Sequence, residues 1–205
     1  MYLTGTILII FCSYLIGSFP TAYVFVRLFK RLDIREYGSG NVGATNAARV
    51  IGKKLALIVL ALDFLKGTAA VTLLPIFFGK LFLKTGGFEN IVYILAGAAV
   101  ISGHIWTIFL KFKGGKGVAT TAGVMAGLSP EILLSGLLLW LIIFFIWRYV
   151  SLASISAAIA LPVLSLVFGK DLDFIIFVSI VCFVGVYSHR SNIRRLIQRN
   201  ESKLR

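Results

Sequence analysis

The chain has 205 residues, of which 59% are hydrophobic and only 14% charged, and its mean hydropathy is +0.95. Soluble domains run to about 45–50% apolar and about 25% charged, so a water-soluble globule is excluded and an integral membrane protein is expected. The formal net charge of +13 does not point to nucleic acid, whose binders carry basic residues on a polar surface. Here the basic residues fall between apolar runs, as expected for topology-setting loops and for anionic substrates or lipids.

The first apolar run predicts a helix over 5–26. It lacks a preceding basic region and a clear small-residue cleavage site, and it is longer than a signal-peptide core, so it reads as a retained helix. Arg27, Lys30, Arg31 and Arg35 follow it, which puts the N-terminus outside and the first loop in the cytosol. In that loop (residues 37–54) Gly38, Gly40 and Gly43 interrupt regular structure, and Ala44 to Val50 fits a short interfacial helix. A second helix over 55–78 leads to an external loop at 79–89. A third, over 90–110, returns to the sequence Gly114-Gly115-Lys116-Gly117.

The next run, Gly117 to Ser129, stops before Pro130. At ~1.5 Å per residue it covers about 20 Å, short of a hydrocarbon core of ~30 Å. It reads either as a short span beside a water-filled dip or as a re-entrant piece. The short span is favoured, because Glu131 to Trp147 then returns inward and leaves Arg148 in the cytosol. A helix over 152–168 leads to an external Gly169-Lys170-Asp171, and a last one over 173–188 brings back His189, Arg190, Ser191, Asn192 and a basic tail. Cys12 and Cys182 lie inside apolar runs and read as small hydrophobes.

The expected fold is therefore all-α: a polytopic integral membrane protein with seven transmembrane helices, the N-terminus outside, the C-terminus cytosolic, and cytosolic glycine-rich loops. Residues 1–205 form a single transmembrane domain. This arrangement leaves Lys80, Lys84 and Lys170 outside and Lys66 within the second helix, with every other lysine and arginine, Arg205 included, on the cytosolic side. So strong an asymmetry supports the orientation. A five-helix version, with 117–129 re-entrant and another segment reassigned, stays open.

Polar and glycine-rich residues gather on the cytosolic side. The first loop offers Ser39, Asn41, Thr45, Asn46 and Arg49. The second offers Gly103 at the end of its helix, then Gly114, Gly115, Lys116 and Gly117. Ser151 and Ser154 follow Arg148, and His189 with Asn192 completes the set. Glycines allow backbone N–H groups to turn inward as a nest and lysine adds mobile positive charge, a combination suited to phosphate. A nucleotide is not implied, since Lys116 is followed by Gly117, not Ser or Thr, and the place five before Gly115 is Leu110.

No metal site is expected. Asp33, Glu36 and Glu201 are too scattered for magnesium, and two histidines without companion ligands do not make a zinc site. The His-x4-Asp pattern of common glycerolipid acyltransferases is absent, because five residues after His104 stands Phe109 and five after His189 stands Arg194. Asp63 and Lys66 share one face of the second helix at i, i+3. At that depth they are either a mutually neutralising structural pair or part of a functional site. His104 either braces the glycine–lysine loop or acts in chemistry.

Five ordered stretches then carry a resemblance: Gly-Ser-Gly-Asn-Val-Gly-Ala-Thr-Asn (38–46), Leu-Asp-Phe-Leu-Lys-Gly (62–67), Gly-His through Gly-Gly-Lys-Gly (103–117), Arg-Tyr-Val-Ser-Leu-Ala-Ser (148–154) and His-Arg-Ser-Asn-Ile (189–193). Together they closely resemble the bacterial acyl-phosphate-dependent glycerol-3-phosphate acyltransferase family, PlsY, over nearly the whole chain. The resemblance implies an inner-membrane enzyme of phospholipid synthesis with its active site on the cytosolic side and no cofactor. It would move a fatty acyl group from acyl phosphate to the 1-hydroxyl of glycerol 3-phosphate, releasing lysophosphatidic acid and phosphate. The implied partners are these substrates, membrane lipid and the soluble acyl-phosphate-forming enzyme PlsX, and not nucleic acid.

The family's essential serine and arginine fall on Ser39 and Arg49. Its glycerol-3-phosphate motif falls on Gly103 and Gly114–Gly117 with Lys116, and its histidine and asparagine fall on His189 and Asn192. Where the family often has a glutamate between these last two, this chain has Ser191, which leaves open how the last segment is held. Ser39, Arg49, Lys116 and His189 are the expected catalytic set. Asn41, Thr45, Asn46, Gly103, Gly114, Gly115, Gly117, Ser151, Ser154 and Asn192 are expected to bind substrate.

Acyl phosphate is already an activated anhydride, so two anions of roughly −1.5 to −2 charges each need holding more than they need an elaborate catalyst. The proton of the attacking hydroxyl goes either to His189, whose type titrates near ~6.5, or to the donor's own phosphate. A membrane transporter of an organophosphate or lipid is the rival reading. Transporters tend to bind at mid-membrane between repeats, and this chain has no evident repeat.

Overall fold

The computed structural model describes residues 1–83 and 87–203; Lys84 and Arg205, which enter the charge asymmetry, lie outside the described residues. Every regular element among the described residues is helical. The chain divides into two compact units, Met1–Leu128 and Ser129–Arg205.

The first unit holds α1 (Tyr2–Ser18), α2 (Thr21–Lys30), α3 (Ala44–Ile51), α4 (Lys53–Phe82), α5 (Asn90–Ile105) and α6 (Val118–Leu128), with single 3-10 turns at Ile34–Glu36 and Ile108–Leu110. α1 packs on α5 and α4 packs on α6. Small residues permit both contacts. A Cβ at Gly17 would collide with the Val100 carbonyl and one at Gly103 with the Tyr14 carbonyl; across α4 and α6, one at Gly67 would strike the Thr120 carbonyl and one at Gly123 the Phe64 carbonyl. In lipid, where apolar side chains gain little by burial, backbone approach of this kind is a main source of helix association. The outward faces remain apolar: α4 exposes Leu57, Leu65, Leu73 and Phe77.

The second unit holds α7 (Pro130–Trp147), α8 (Val150–Val167), α9 (Leu172–Ser188) and α10 (Arg190–Ile197). α8 packs on both α7 and α9. α7 begins with Pro130 in its first turn, where the missing N–H costs no hydrogen bond.

All seven apolar runs are helices, but they differ in span length. Five segments are long and apolar enough to cross a membrane: Tyr2–Lys30, Lys53–Phe82, Asn90–Leu110, Pro130–Trp147 and Val150–Val167. A sixth follows if α9 and α10 are joined across their 56° bend, while α6, with 11 residues, is a shorter apolar helix.

The helix expected over 5–26 is broken at Phe19. Pro20 excludes helical backbone from the residue before it, and Phe19 accordingly has ψ 117°. The chain re-enters a helix with the Val24 N–H bonded to the Pro20 carbonyl at 3.0 Å. This break presents backbone oxygens at a depth where an unbroken helix has none to offer.

Candidate active site

In the first unit the loop after α2 is laid down on a small core. Ile34, Val42, Ala47 and Ile51 are buried with Ala22, Val26, Ala56, Val59 and Leu110. Asp33 starts the loop by accepting the Arg35 N–H at 3.0 Å and its guanidinium Nε at 2.9 Å. These hydrogen bonds from Arg35 hold the Asp33 carboxyl down to about 2.

The centre of the loop is Asn46, at 2% exposure. Its Oδ1 accepts the Ser39 backbone N–H at 3.0 Å, and its Nδ2 lies within reach of three carbonyls: Tyr37 and Asn41 at 3.0 Å each and Ile34 at 3.3 Å. Gly38 and Gly40 both sit in the left-handed region (φ +59° and +69°), and a Cβ at Gly38 would overlap Asn46 Oδ1. Asn46, expected to bind substrate, thus has its amide taken up in shaping residues 37–41. The result is that Ser39 stands exposed with its backbone fixed. Arg49 is exposed in the last turn of α3, its stem passing beside Gly38; a Cβ there would meet Arg49 Cδ at 3.7 Å. Asn41 and Thr45 are half-buried alongside.

The glycine–lysine loop returns on the end of α5. The Gly114 N–H donates to the Ile105 carbonyl at 2.9 Å and the Gly115 N–H to the His104 carbonyl at 3.0 Å. These two amides are therefore not the open donors expected of a phosphate nest. Glycine is required here by contact instead: a Cβ at Gly114 would strike the His104 and Ile105 carbonyls, and one at Gly115 the His104 ring. Gly117 has φ +81° and follows the half-buried Lys116. Gly114 and Gly115 line a small cleft with His104, Val42 and the Ser18–Thr21 break, so both cytosolic loops of the sequence reading meet in this unit.

Beneath the cleft lies a polar cluster. Asp63 Oδ1 accepts from Thr21 Oγ1 and from Lys66 Nζ, each at 2.8 Å. The Lys66 ammonium also reaches Thr21 Oγ1 and the Phe19 carbonyl exposed by the break. His104 Nδ1 lies 3.8 Å from Asp63 Oδ1 and 3.1 Å from Thr120 Oγ1. The buried pair is satisfied on every side shown, which is the arrangement a structural ion pair in an apolar setting needs. Sequence reading singled out Asp63, Lys66 and His104 but missed Thr21, Thr120 and the Phe19 carbonyl. Pro20 was the available signal.

In the second unit Ser151, Ser154, His189 and Asn192 are all buried, at 4–5% exposure. His189 Nδ1 lies 2.8 Å from the Gly185 carbonyl. A carbonyl only accepts, so the proton is on Nδ1, and in the neutral ring Nε2 is the basic nitrogen. Ser154 donates to the Val150 carbonyl at 2.8 Å and accepts from Trp140 Nε1 at 3.1 Å; its one hydroxyl proton is spent inside the unit.

Ser151 and Asn192 converge on a residue that sequence reading discarded. Glu201 Oε1 accepts from Ser151 Oγ at 2.8 Å and Asn192 Nδ2 at 2.6 Å, and Oε2 accepts from Arg195 Nε at 2.6 Å. Burial raises the Glu201 pKa, but the hydrogen bonds from Arg195, Asn192 and Ser151 together outweigh it and hold the carboxyl below its usual range. Ser191, where a glutamate was looked for, is exposed; the carboxylate beside Asn192 comes from the tail.

Known proteins resemble the chain along nearly its whole length. The family model described as glycerol-3-phosphate acyltransferase matches residues 7–199. The glycerol-3-phosphate acyltransferase of Thermoanaerobacter sp. (strain X514) is 42% identical over 192 residues, covering 94% of this chain and 92% of that one. That of Endomicrobium trichonymphae is 43% identical over 199 residues, covering 97% and 96%. Among solved structures, the glycerol 3-phosphate form of PlsY, an integral membrane glycerol 3-phosphate acyltransferase, superposes with a TM-score of 0.88 at 38% identity, covering 98% of this chain and 96% of that one. Its lysophosphatidic acid form gives 0.84 at 37%, covering 98% and 95%. The chain is a multi-pass membrane protein and belongs to the glycerol-3-phosphate acyltransferase family.

Proposed function

We propose that this protein transfers a fatty acyl group from acyl phosphate to the 1-hydroxyl of glycerol 3-phosphate, forming lysophosphatidic acid and inorganic phosphate, as an initial step of phospholipid synthesis. The observation that carries the reading is the similarity, along nearly the whole chain, to a structure in a glycerol 3-phosphate form and a lysophosphatidic acid form, a substrate–product pair that differs by one acyl group. The acyl phosphate donor, and with it the functional link to PlsX, is supported by the five ordered motifs.

In this reading residues 1–205 act as one transmembrane acyltransferase domain of the bacterial inner membrane. It has seven spans, the N-terminus outside, and the chemistry on the cytosolic side. Arg49 and Lys116 hold phosphate charge, and Ser39 donates a hydrogen bond from a loop that Asn46 makes rigid. The hydroxyl of glycerol 3-phosphate attacks the acyl carbonyl, the bond from that carbon to the phosphate oxygen breaks, and phosphate leaves with the electron pair. His189 Nε2, or an oxygen of the departing phosphate, takes the hydroxyl proton. Neither a metal nor a covalent acyl-enzyme is needed, because the donor is activated and the transition state gains most from fixed positive charge and oriented donors.

Detergent-purified protein given acyl phosphate and glycerol 3-phosphate should release phosphate and lysophosphatidic acid in the presence of a chelator. Product formed only with added magnesium would refute the metal-free mechanism. No product under either condition would favour the transporter reading.

A further inference from the structure

Between α5 and the glycine–lysine loop the chain is bent by two consecutive non-glycine residues in the left-handed region, Lys111 (φ +53°) and Phe112 (φ +61°). Residues with a Cβ avoid that region, so such a pair persists only where its surroundings hold it. Thr107, 2% exposed, does the holding. Its carbonyl accepts the Leu110 N–H at 3.3 Å and the Phe112 N–H at 2.8 Å, which closes the turn. Its hydroxyl accepts the Phe109 N–H at 3.2 Å, capping the 3-10 turn Ile108–Leu110. The same hydroxyl donates its one proton to the Ser18 carbonyl, at the break between α1 and α2.

This turn supports both glycine-rich loops. It buries Leu110, 6% exposed, in the core beneath the first loop, with Ala22 and Val26 of α2 and with Ile34, Val42 and Ala47. The Ser18 carbonyl lies just ahead of α2, so the Thr107 hydroxyl also fixes where the floor of that core begins. In the other direction the turn passes the chain to Gly114 and Gly115, whose N–H groups fall back on the Ile105 and His104 carbonyls at 2.9 and 3.0 Å. Thr107 itself lines the cleft in which Val42 of the first loop lies with Gly114 and Gly115 of the second. Ser39 and Arg49 follow from the first loop, and Lys116 from the second.

We propose that Thr107 is a positioning residue whose hydroxyl locks the two loops at the separation that lets Ser39 and Arg49 act on the same substrates as Lys116. It touches no substrate itself. The proposal rests on the functional reading above for the roles of those three residues, whereas the coupling of the loops rests on the turn. Misplacing a catalytic group by ~1 Å costs up to about a hundredfold in rate. Loosening both loops without removing any group from them should cost less, about fivefold to thirtyfold, as expected for one to two net hydrogen bonds.

The test compares intact protein with Thr107→Val, which keeps the shape and removes the hydroxyl, and with Thr107→Ser, which restores it. Tyr14→Phe is the control, since it removes a neighbouring bond, from the Tyr14 hydroxyl to the Trp106 carbonyl at 2.8 Å. Amide hydrogen exchange without substrate is read first. Thr107→Val should speed exchange about fivefold to thirtyfold at Ser39 and at Gly114 and Gly115, with the middle of α4 unchanged. Thr107→Ser and Tyr14→Phe should leave both loops protected. Leu110→Val, which trims the other end of the turn, should loosen the same two loops with the hydroxyl intact, and carries the test should Thr107→Val not fold. In steady-state assays Thr107→Val should lower kcat by about the same factor while each KM moves less than about threefold, and Thr107→Ser should recover the rate. Faster exchange at one loop only, a uniform rise that includes α4, or loosened loops with normal kcat overturns the proposal. Should no protein turn over, the functional reading fails, while the exchange pattern still decides whether Thr107 couples the loops.

Discussion

Asn46→Ala tests the claim that this residue serves the substrate indirectly, by setting the backbone that presents Ser39. The side chain is 2% exposed and joins four backbone groups, from Ile34, Tyr37, Ser39 and Asn41. Its two amide hydrogens serve three carbonyls, so about three full hydrogen bonds are lost. At about 1 kcal/mol net for each, the folded loop is destabilised by roughly 3 kcal/mol, close to a hundredfold in its local equilibrium. Alanine also removes the amide oxygen that packs against Gly38, which sits in a left-handed conformation that an unrestrained chain leaves readily. The measurement is amide hydrogen exchange without substrate, followed at residues 37–46. The Ser39 amide, bonded to Asn46 Oδ1, should lose protection by one to two orders of magnitude, while amides in the middle of α4 stay as they were. Acyl transfer should fall by a comparable factor, mainly in kcat. If Asn46→Ala abolishes turnover yet leaves Ser39 exchange unchanged, the scaffold argument is wrong and Asn46 acts on substrate directly.

Further expectations concern other contacts. Gly114→Ala should destabilise the protein more than Gly115→Ala in thermal unfolding in detergent, because its Cβ meets two carbonyl oxygens while that of Gly115 meets the tip of an imidazole; overpacking of this kind costs about 1–3 kcal/mol, and equal losses would count against it. Lys66→Met should be strongly destabilising, by about 3–5 kcal/mol, since it strands Asp63 in the bundle. Lys66→Met/Asp63→Asn should recover most of that loss, and a double variant no better than the single would show that the pair is more than mutual neutralisation. His189→Ala separates the two proton acceptors: a fall in kcat of about 10²–10⁴-fold is expected of a general base, whereas near-normal turnover would assign the proton to the donor phosphate.

The helices were legible because membrane burial imposes a simple rule, an apolar run bounded by charge. That rule finds a helix but not a kink or a span. The first run was read as one helix because its hydropathy is continuous; Pro20 breaks it through a steric effect on Phe19, one residue away, which a hydropathy window averages out. α6 shows the converse. Gly117 and Pro130 bound it correctly, but its length leaves its membrane status to its surroundings. The loop helix α3 was visible because Gly43 is followed by a stretch, Ala44 to Val50, that holds three alanines and an arginine.

The polar residues were found more reliably than their tasks. Composition marks Asn46, Ser154 and the glycines at 114 and 115 as unusual for a membrane helix end, and they are unusual, but their hydrogen bonds run inward to the protein. A site that holds two multiply charged substrates, as the proposed function requires, needs a rigid frame, and in lipid every loop carbonyl in that frame needs a donor of its own. Many of the polar side chains near such a site are therefore committed before any ligand arrives. Under the proposed function, this narrows the groups expected to meet substrate to those whose heads stand on the frame, such as the exposed Ser39 and Arg49. It also explains why Glu201 escaped notice: the sequence shows a lone acid in a basic tail, ordinarily a solvated surface charge, and only a left-handed turn at Arg199 brings it to Ser151 and Asn192. A residue's distance along the chain from a motif is thus a poor guide to its part in the site wherever a left-handed turn folds the chain back on itself.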